Sequence, residues 1–311
     1  VKYKVIALAV SGALLAACGS DNDNYVEPTA TPVQAFDGAV RYLDTYIECN
    51  GGGFEYVGET GGNGILNIGV GNFPLFDEDP SQCVLEFGEN IYGSGGGTRE
   101  ARDESNGKLM TNVRYLVPPQ LLASGDAIAA TPYTTLVALK IFEAEDAGET
   151  VDLDAIIAET FSETLPDGTT LTPAQQEQFL SNPQAVLDSL DATNSKNLQA
   201  STMVLSDAIA SQQDNIAAGT VDSSALETAT KKSAEVLAQD PDFPTTVNDD
   251  GETVPTYVDM TTEFDNNFDT ISDPDNKDPV TVPPPEEGEE LEPIDEEVLP
   301  PPTGGTGGTA G

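Results

Sequence analysis

The chain contains no histidine and no tryptophan, and its 12 lysines and arginines face 54 aspartates and glutamates. Without histidine the usual zinc ligand set, the Ser-His-Asp triad and the Cys-His pair are all excluded. Without tryptophan the commonest stacking platform for sugars is gone, although Tyr and Phe remain. The scarcity of bases leaves a formal net charge of −42, which repels nucleic acid and anionic lipid headgroups. Adaptation of a solvated surface to salt explains such a charge more readily than a specific cationic partner does. Long apolar runs are scarce too. One near the start, Val5 to Ala17, is too short for the ~20 residues that span a bilayer core.

That run follows Lys2 and Lys4 and ends in "LLAACGSDNDN", Leu14 to Asn24. A charged start, a short apolar middle and small residues before a boundary describe a secretory signal peptide, residues 1–17. Leu15-Ala16-Ala17-Cys18 resembles the lipobox of bacterial lipoproteins. The resemblance implies cleavage before Cys18, acylation of Cys18 and a palmitate-type anchor, which two or three chains make stable. Gly19 stands where an aspartate would imply retention in the inner membrane, so the expected location is the outer membrane, on its periplasmic face or at the cell surface. Residues 18–33 read as a polar tether, and about fifteen residues would reach roughly 50 Å when extended.

Only three cysteines are present. With Cys18 assigned to lipid, Cys49 and Cys83 remain, an even number in an oxidising compartment. A Cys49–Cys83 disulfide would close a loop of about 35 residues, worth roughly 4 kcal/mol by chain entropy. The 311 residues are enough for two modest domains of ~100–200 residues each. From residue 34 to 122 the segments "GAVRYLDTYIEC", "GILNIGV", "CVLEFGE" and "KLMTNVRYLVPP" are β-branched and aromatic. Gly- and Asn-rich clusters separate them. Asn50-Gly51, Asn63-Gly64 and Asn106-Gly107 are tight-turn signals. Short strands with Gly-rich turns predict a small antiparallel β-sandwich.

Residues 126–239 read as an α-helical domain. Thr131 caps a helix with Pro132 in its first position. "TPAQ" at Thr172–Gln175 and "SALE" at Ser224–Glu227 are capping boxes, and Asn182-Pro183 opens another helix. Leu198, Thr202, Leu205 and Ile209 share one helical face, as do Leu226, Ala229, Ser233 and Val236. These stripes are read as core. Residues 240–311 hold twenty acids against one base, Lys277. Such composition predicts a largely disordered acidic Pro/Gly-rich tail, with one or two short strands near "TYVDM" packing back. The expected fold class is α+β: a small antiparallel β-sandwich followed by an α-helical domain, with a disordered acidic C-terminal tail.

"TGGNGILNI" is similar to the T-D-x-N-G-x-F edge-strand motif of carboxypeptidase-regulatory-like (prealbumin-like) β-sandwiches. "DESNGKLMTNVRYLVPP" (Asp103–Pro119), "TPYTTLVA" (Thr131–Ala138) and "SNPQAVLDSL" (Ser181–Leu190) resemble successive stretches of a group of uncharacterised Gram-negative outer-membrane lipoproteins. That group joins such a sandwich to a T-P-L-T-T-L-type helical domain. The resemblance spans residues 34–215. It implies the fold and carries no agreed activity. The chain has "ECNGGG" where the group has an acidic D-x-N-x-N-G turn, so calcium at that turn is not implied.

No catalytic, cofactor-binding or metal set stands out. Ser105-Asn106-Gly107-Lys108 spells S-x-x-K, but it falls in a turn between strands rather than at a helix start. The acidic clusters Asp77-Glu78-Asp79, Asp249-Asp250-Glu252 and Asp273/Asp275/Asp278 lack the spacing of a calcium loop and predict only weak divalent-cation binding. "GSGGGTRE" lacks the Lys-Ser/Thr of a phosphate loop. The expected role is therefore non-catalytic: binding or structural display at the envelope, toward an envelope or extracellular protein or glycan, with no cofactor and no nucleic acid. One alternative is an envelope hydrolase, or its accessory subunit, acting through unidentified carboxylates. Another is a periplasmic assembly partner of a secretion or pilus system. An enzyme would place acids of raised pKa in a cleft at the sandwich–helix junction. A binding module would expose an aromatic or apolar patch there.

Overall fold

The computed structural model describes residues 30–89, 99–123, 128–292 and 294. Cys18, the signal peptide and most of "GSGGGTRE" lie outside them. The first part of the chain runs through β1 (Ala30–Ala35), β2 (Val40–Arg41), β3 (Asp44–Cys49), β4 (Glu55–Glu59) and β5 (Ile65–Gly69). The short helix α1 (Pro74–Glu78) precedes β6 (Cys83–Gly88), β7 (Arg102–Asp103) and β8 (Arg114–Val117), and α2 (Pro119–Leu122) precedes β9 (Ile128–Ala130). An antiparallel sheet has the order β4-β3-β6-β8, and a mixed sheet has the order β5-β1-β9. Both contribute to one core that includes Val33, Leu43, Ile47, Leu85, Phe87 and Tyr115. In β8 the alternation is plain: Tyr115 and Val117 are buried while Arg114 and Leu116 are half-buried, the period of two that a pleated strand imposes.

Asn50 and Gly51 both adopt positive φ, 55° and 69°, the conformation that favours Asn-Gly in tight turns. Cys49 and Cys83 are direct partners in the β3–β6 ladder and form the expected disulfide. Two boundaries differ from expectation. Residues 30–33 are not tether, because β1 pairs with β5 from Ala30↔Gly69 onward. Pro32 lies within β1 opposite Asn67 of β5, and β9 joins β1 only from Val33, so one flank of the strand is open at the proline. The β1–β9 pairing is parallel, and it carries the chain from the sheet straight into the first long helix.

Six helices follow: α3 (Pro132–Asp146), α4 (Leu153–Thr164), α5 (Pro173–Phe179), α6 (Pro183–Ser189), α7 (Ala192–Ala217) and α8 (Ser223–Gln239). The Thr131 cap and the Thr172/Gln175 box are reciprocal, and Asn182 accepts from the Ala185 N–H. The α8 cap falls two residues before the expected box. Asp222 accepts from the Ala225 N–H, and a carboxylate there also complements the helix dipole. The α8 stripe ends on Leu237, fully buried, and not on Val236, which is 41% exposed. Eleven residues from Leu226 complete about three turns, and ten fall short by about 80°. Tyr133 stacks on Phe161 at 4.4 Å, and Phe179 meets both edge-on.

The expected tail begins later than residue 240. β10 (Thr245–Val247) and β11 (Thr253–Tyr257) form an antiparallel hairpin, helix α9 (Thr261–Ser272) follows, and β12 (Glu286–Glu287) adds to β11. Helix α9 buries Phe264, Phe268 and Ile271 against α7 and α8. Their spacing of four and three makes one apolar stripe, which the acidic composition of the segment conceals. Gly288, Glu289 and Leu291 then donate backbone N–H groups to the carbonyls of Pro255, Asn106 and Glu104, and Arg41 reaches the Glu292 carbonyl. Residues 288–292 thus strap the hairpin to the sandwich.

Two stability outcomes are expected. Replacing Cys49 and Cys83 by alanine together should lower the unfolding free energy by about 2–5 kcal/mol, read from urea denaturation with and without reductant. Phe264→Ala should cost roughly 3–5 kcal/mol. A loss within about 0.5 kcal/mol, the range of surface substitutions, would place α9 outside the core.

Candidate functional site

The most chemically unusual region is the junction of sandwich and helices, where charged groups are sealed inside. Asp37 comes from the β1–β2 turn, Asp103 from β7, Lys108 from the turn after β7, and Asp207 from the middle of α7. Asp37 is 7% exposed, Asp103 1%, Lys108 4% and Asp207 3%. Lys108 Nζ donates to Asp207 Oδ1 at 2.6 Å, and the Met260 N–H donates to Asp207 Oδ2 at 2.8 Å. Asp103 Oδ1 accepts from the Ser105 N–H and hydroxyl, and its Oδ2 accepts from Asn106 Nδ2. Asn106 Oδ1 in turn accepts from the Lys108 N–H. The hydroxyls of Tyr115 and Ser206 lie 2.8 Å apart, and Ser206 hydrogen-bonds Asp37. Asp37 Oδ1 is buried with no partner among the described residues.

Local backbone makes this possible. Gly38 has φ +81°, and a Cβ there would sit 2.2 Å from Asp103 Oδ1. Only glycine lets the carboxylate pack on this turn.

Three acids and one base share a buried volume, where the charged form of a carboxyl is disfavoured. Burial pushes Asp37 well above the ordinary carboxylate range, with Asp103 and Asp207 adding to the effect against the pull of Lys108. Burial raises Asp103 to about 6, partly offset by its bonds from Ser105 and Asn106. Asp207 is raised by burial despite Lys108. Burial also works against the Lys108 charge, but Asp207 and Asp37 outweigh it and its pKa rises.

Two clefts reach the cluster. One of about 440 Å³ is lined by Lys108, Asp207, Leu109, Asp214, Asp259 and Asp265. The other, of about 360 Å³, is lined by Asp37, Asn106, Gln184, Met203, Phe243 and Pro255. The acids of raised pKa expected of an enzyme are thus at the junction, although buried. Leu109 is the exposed large apolar side chain on the first cleft.

The residues singled out in the sequence are placed apart from this site, with one exception. Ser105 Oγ serves Asp103 rather than Lys108, so S-x-x-K is a turn and not a nucleophile–base pair. Asp77 accepts from the Gly71 N–H, and Asp79 caps a short turn at Ser81. Asp249, Asp250 and Glu252 sit at the β10–β11 turn, and Lys232 takes the Asp273 and Asn276 carbonyls. Among the described residues no group of three or more Asp, Glu or Cys side chains is arranged to hold a metal ion. The cluster itself was not anticipated. Its one visible sign is Ser206-Asp207 inside the otherwise apolar "MVLSDAIA" of α7.

No protein-family model, curated protein or solved structure matches this chain. The resemblance to sandwich-bearing lipoproteins rests on the quoted motifs alone.

The cluster makes stability depend on pH. Between the ordinary Asp value of 3.8 and about 6, the folded chain keeps a proton on Asp103 that the unfolded chain has lost. The Asp103 contribution is complete below about pH 4 and is lost as pH rises through about 6, a fall of roughly 3 kcal/mol. Denaturant unfolding of wild type and Asp103→Asn from pH 4 to 7 should show a shallower decline in the variant. Parallel curves would mean that Asp103 ionises normally.

Proposed function

We propose that the chain is a lipid-anchored protein of the bacterial outer membrane, held by acyl chains on Cys18 and acting by binding or structural contact rather than catalysis. The lipobox supports the anchor. The observation that carries the non-catalytic reading is the engagement of the junction carboxylates. Both oxygens of Asp103 and both of Asp207 accept hydrogen bonds from the protein; Asp103 holds its own turn in shape, and Asp207 ties α7 to Lys108 of the sandwich and to Met260. With the anchor at Cys18 and β1 beginning at Ala30, a short tether would present this clamped, acidic body to an envelope or extracellular protein or glycan.

A second reading, an envelope hydrolase, is favoured by Asp37. It alone of the three acids keeps an unpartnered oxygen, it lines the 360 Å³ cleft, and its raised pKa suits a proton donor.

Cells fed radiolabelled palmitate should label the wild type and not Cys18→Ser. Equal labelling of both would sink the anchor. Asp37→Asn should leave turnover of envelope glycans and peptides unchanged. Loss of a measurable hydrolysis in that variant would favour the enzyme.

A further inference from the structure

The Lys108–Asp207 pair has the parts of a condensation site. The amine is in hydrogen-bond contact with the carboxyl at 2.6 Å, and both side chains are almost fully buried. Aligned groups about 3–3.5 Å apart react with effective molarities of roughly 10⁵–10⁸ M. An ion pair in a dry interior carries a desolvation penalty that a neutral amide does not. The Met260 N–H already points at Asp207 Oδ2, where negative charge would build in a tetrahedral intermediate. Asp37 is close enough for Lys108 and Asp207 both to act on its ionisation, and its Oδ1 is free of other partners among the described residues. Among the described residues, the further charged or titratable groups that interact with the three are Asp103, Asp259, Tyr115 and Tyr257. The 440 Å³ cleft touches both Lys108 and Asp207 and gives water a way out.

We infer that Lys108 and Asp207 form an intramolecular isopeptide bond, a covalent staple between the turn after β7 and helix α7, with Asp37 as proton carrier. Nζ first passes one proton to Asp207 Oδ1, its hydrogen-bond partner, which frees the Nζ lone pair; the lone pair attacks Cγ of Asp207, and the Nζ–Cγ bond forms. The Cγ–Oδ1 bond breaks, and two of the three Nζ protons leave with that oxygen as water. Asp37 gives its proton to the departing oxygen and recovers one from Nζ, ending unchanged. The ammonium and the carboxylate cancel, so charge balances and no oxidant, metal or cofactor is required. The staple closes the span of 99 residues between Lys108 and Asp207.

The test is a peptide map of the full chain, denatured before trypsin. The bond predicts that cleavage after Lys108 is blocked and that residues 103–114 appear joined to residues 197–231, one water lighter than the sum. Lys108→Arg keeps a cation but cannot condense, and should yield only separate peptides. Asp37→Asn, checked for folding by circular dichroism, should show a large drop in the joined species. Separate, full-mass peptides from the wild type would overturn the bond outright. A joined species persisting in Lys108→Arg would overturn the assignment of the nitrogen. Undiminished joining in folded Asp37→Asn would remove Asp37 from the reaction.

Discussion

The structure depends on one buried ion pair and the polar groups that complete it. Lys108 and Asp207 join the sandwich to α7, the longest of the described helices, with both side chains almost fully buried. Truncating either partner would strand a charge in the interior, which costs about 3–5 kcal/mol. The same carboxylate holds the Met260 backbone and so sets where α9 begins. The Asp103 loop, through Asn106, holds Lys108 from the other side. Sandwich, helices and C-terminal segment therefore meet at a single electrostatic anchor.

The C-terminal segment shows how an acidic chain can still pack. Its phenylalanines and Ile271 face inward while its carboxylates face water, so composition and burial separate by face. Beyond α9 the chain keeps its place by other means. β12 and the strap use backbone hydrogen bonds to Pro255, Asn106 and Glu104, which do not depend on side-chain type. Seen with the Cys49–Cys83 bridge, the strap and the ion pair make three ties across one body, each between segments far apart in the chain.

A body tied in this way suits the proposed anchored role. A tether attached to lipid can transmit motion and shear to whatever it holds, and covalent or dry electrostatic ties resist both better than exposed salt bridges, which salt screens. The formal net charge of −42 favours a well-solvated surface. Its interior charges serve cohesion, with Asp37 the exception that leaves room for chemistry.

Much of the local structure was legible in the sequence because it depends on neighbours. The Thr131, Thr172 and Asn182 caps, the Asn50-Gly51 turn, the apolar stripe of α7 and the pairing of Cys49 with Cys83 all follow from short-range chemistry or a count of two. Boundaries were less legible. The polar composition of residues 18–33 conceals the start of β1, an acidic average conceals α9, and the signals at Ser224 and Val236 lie two residues and one from Asp222 and Leu237. The junction cluster left almost no trace, because nothing near Asp37, Lys108 or Asp207 in the chain says that they meet. By itself the sequence determined the α+β composition, the acidic charge and the starts of α3, α5 and α6, since propensity, capping and charge act within a few residues. Only the tertiary structure decided which carboxylates lose water and which base answers them, since burial arises from contacts between segments up to 99 residues apart.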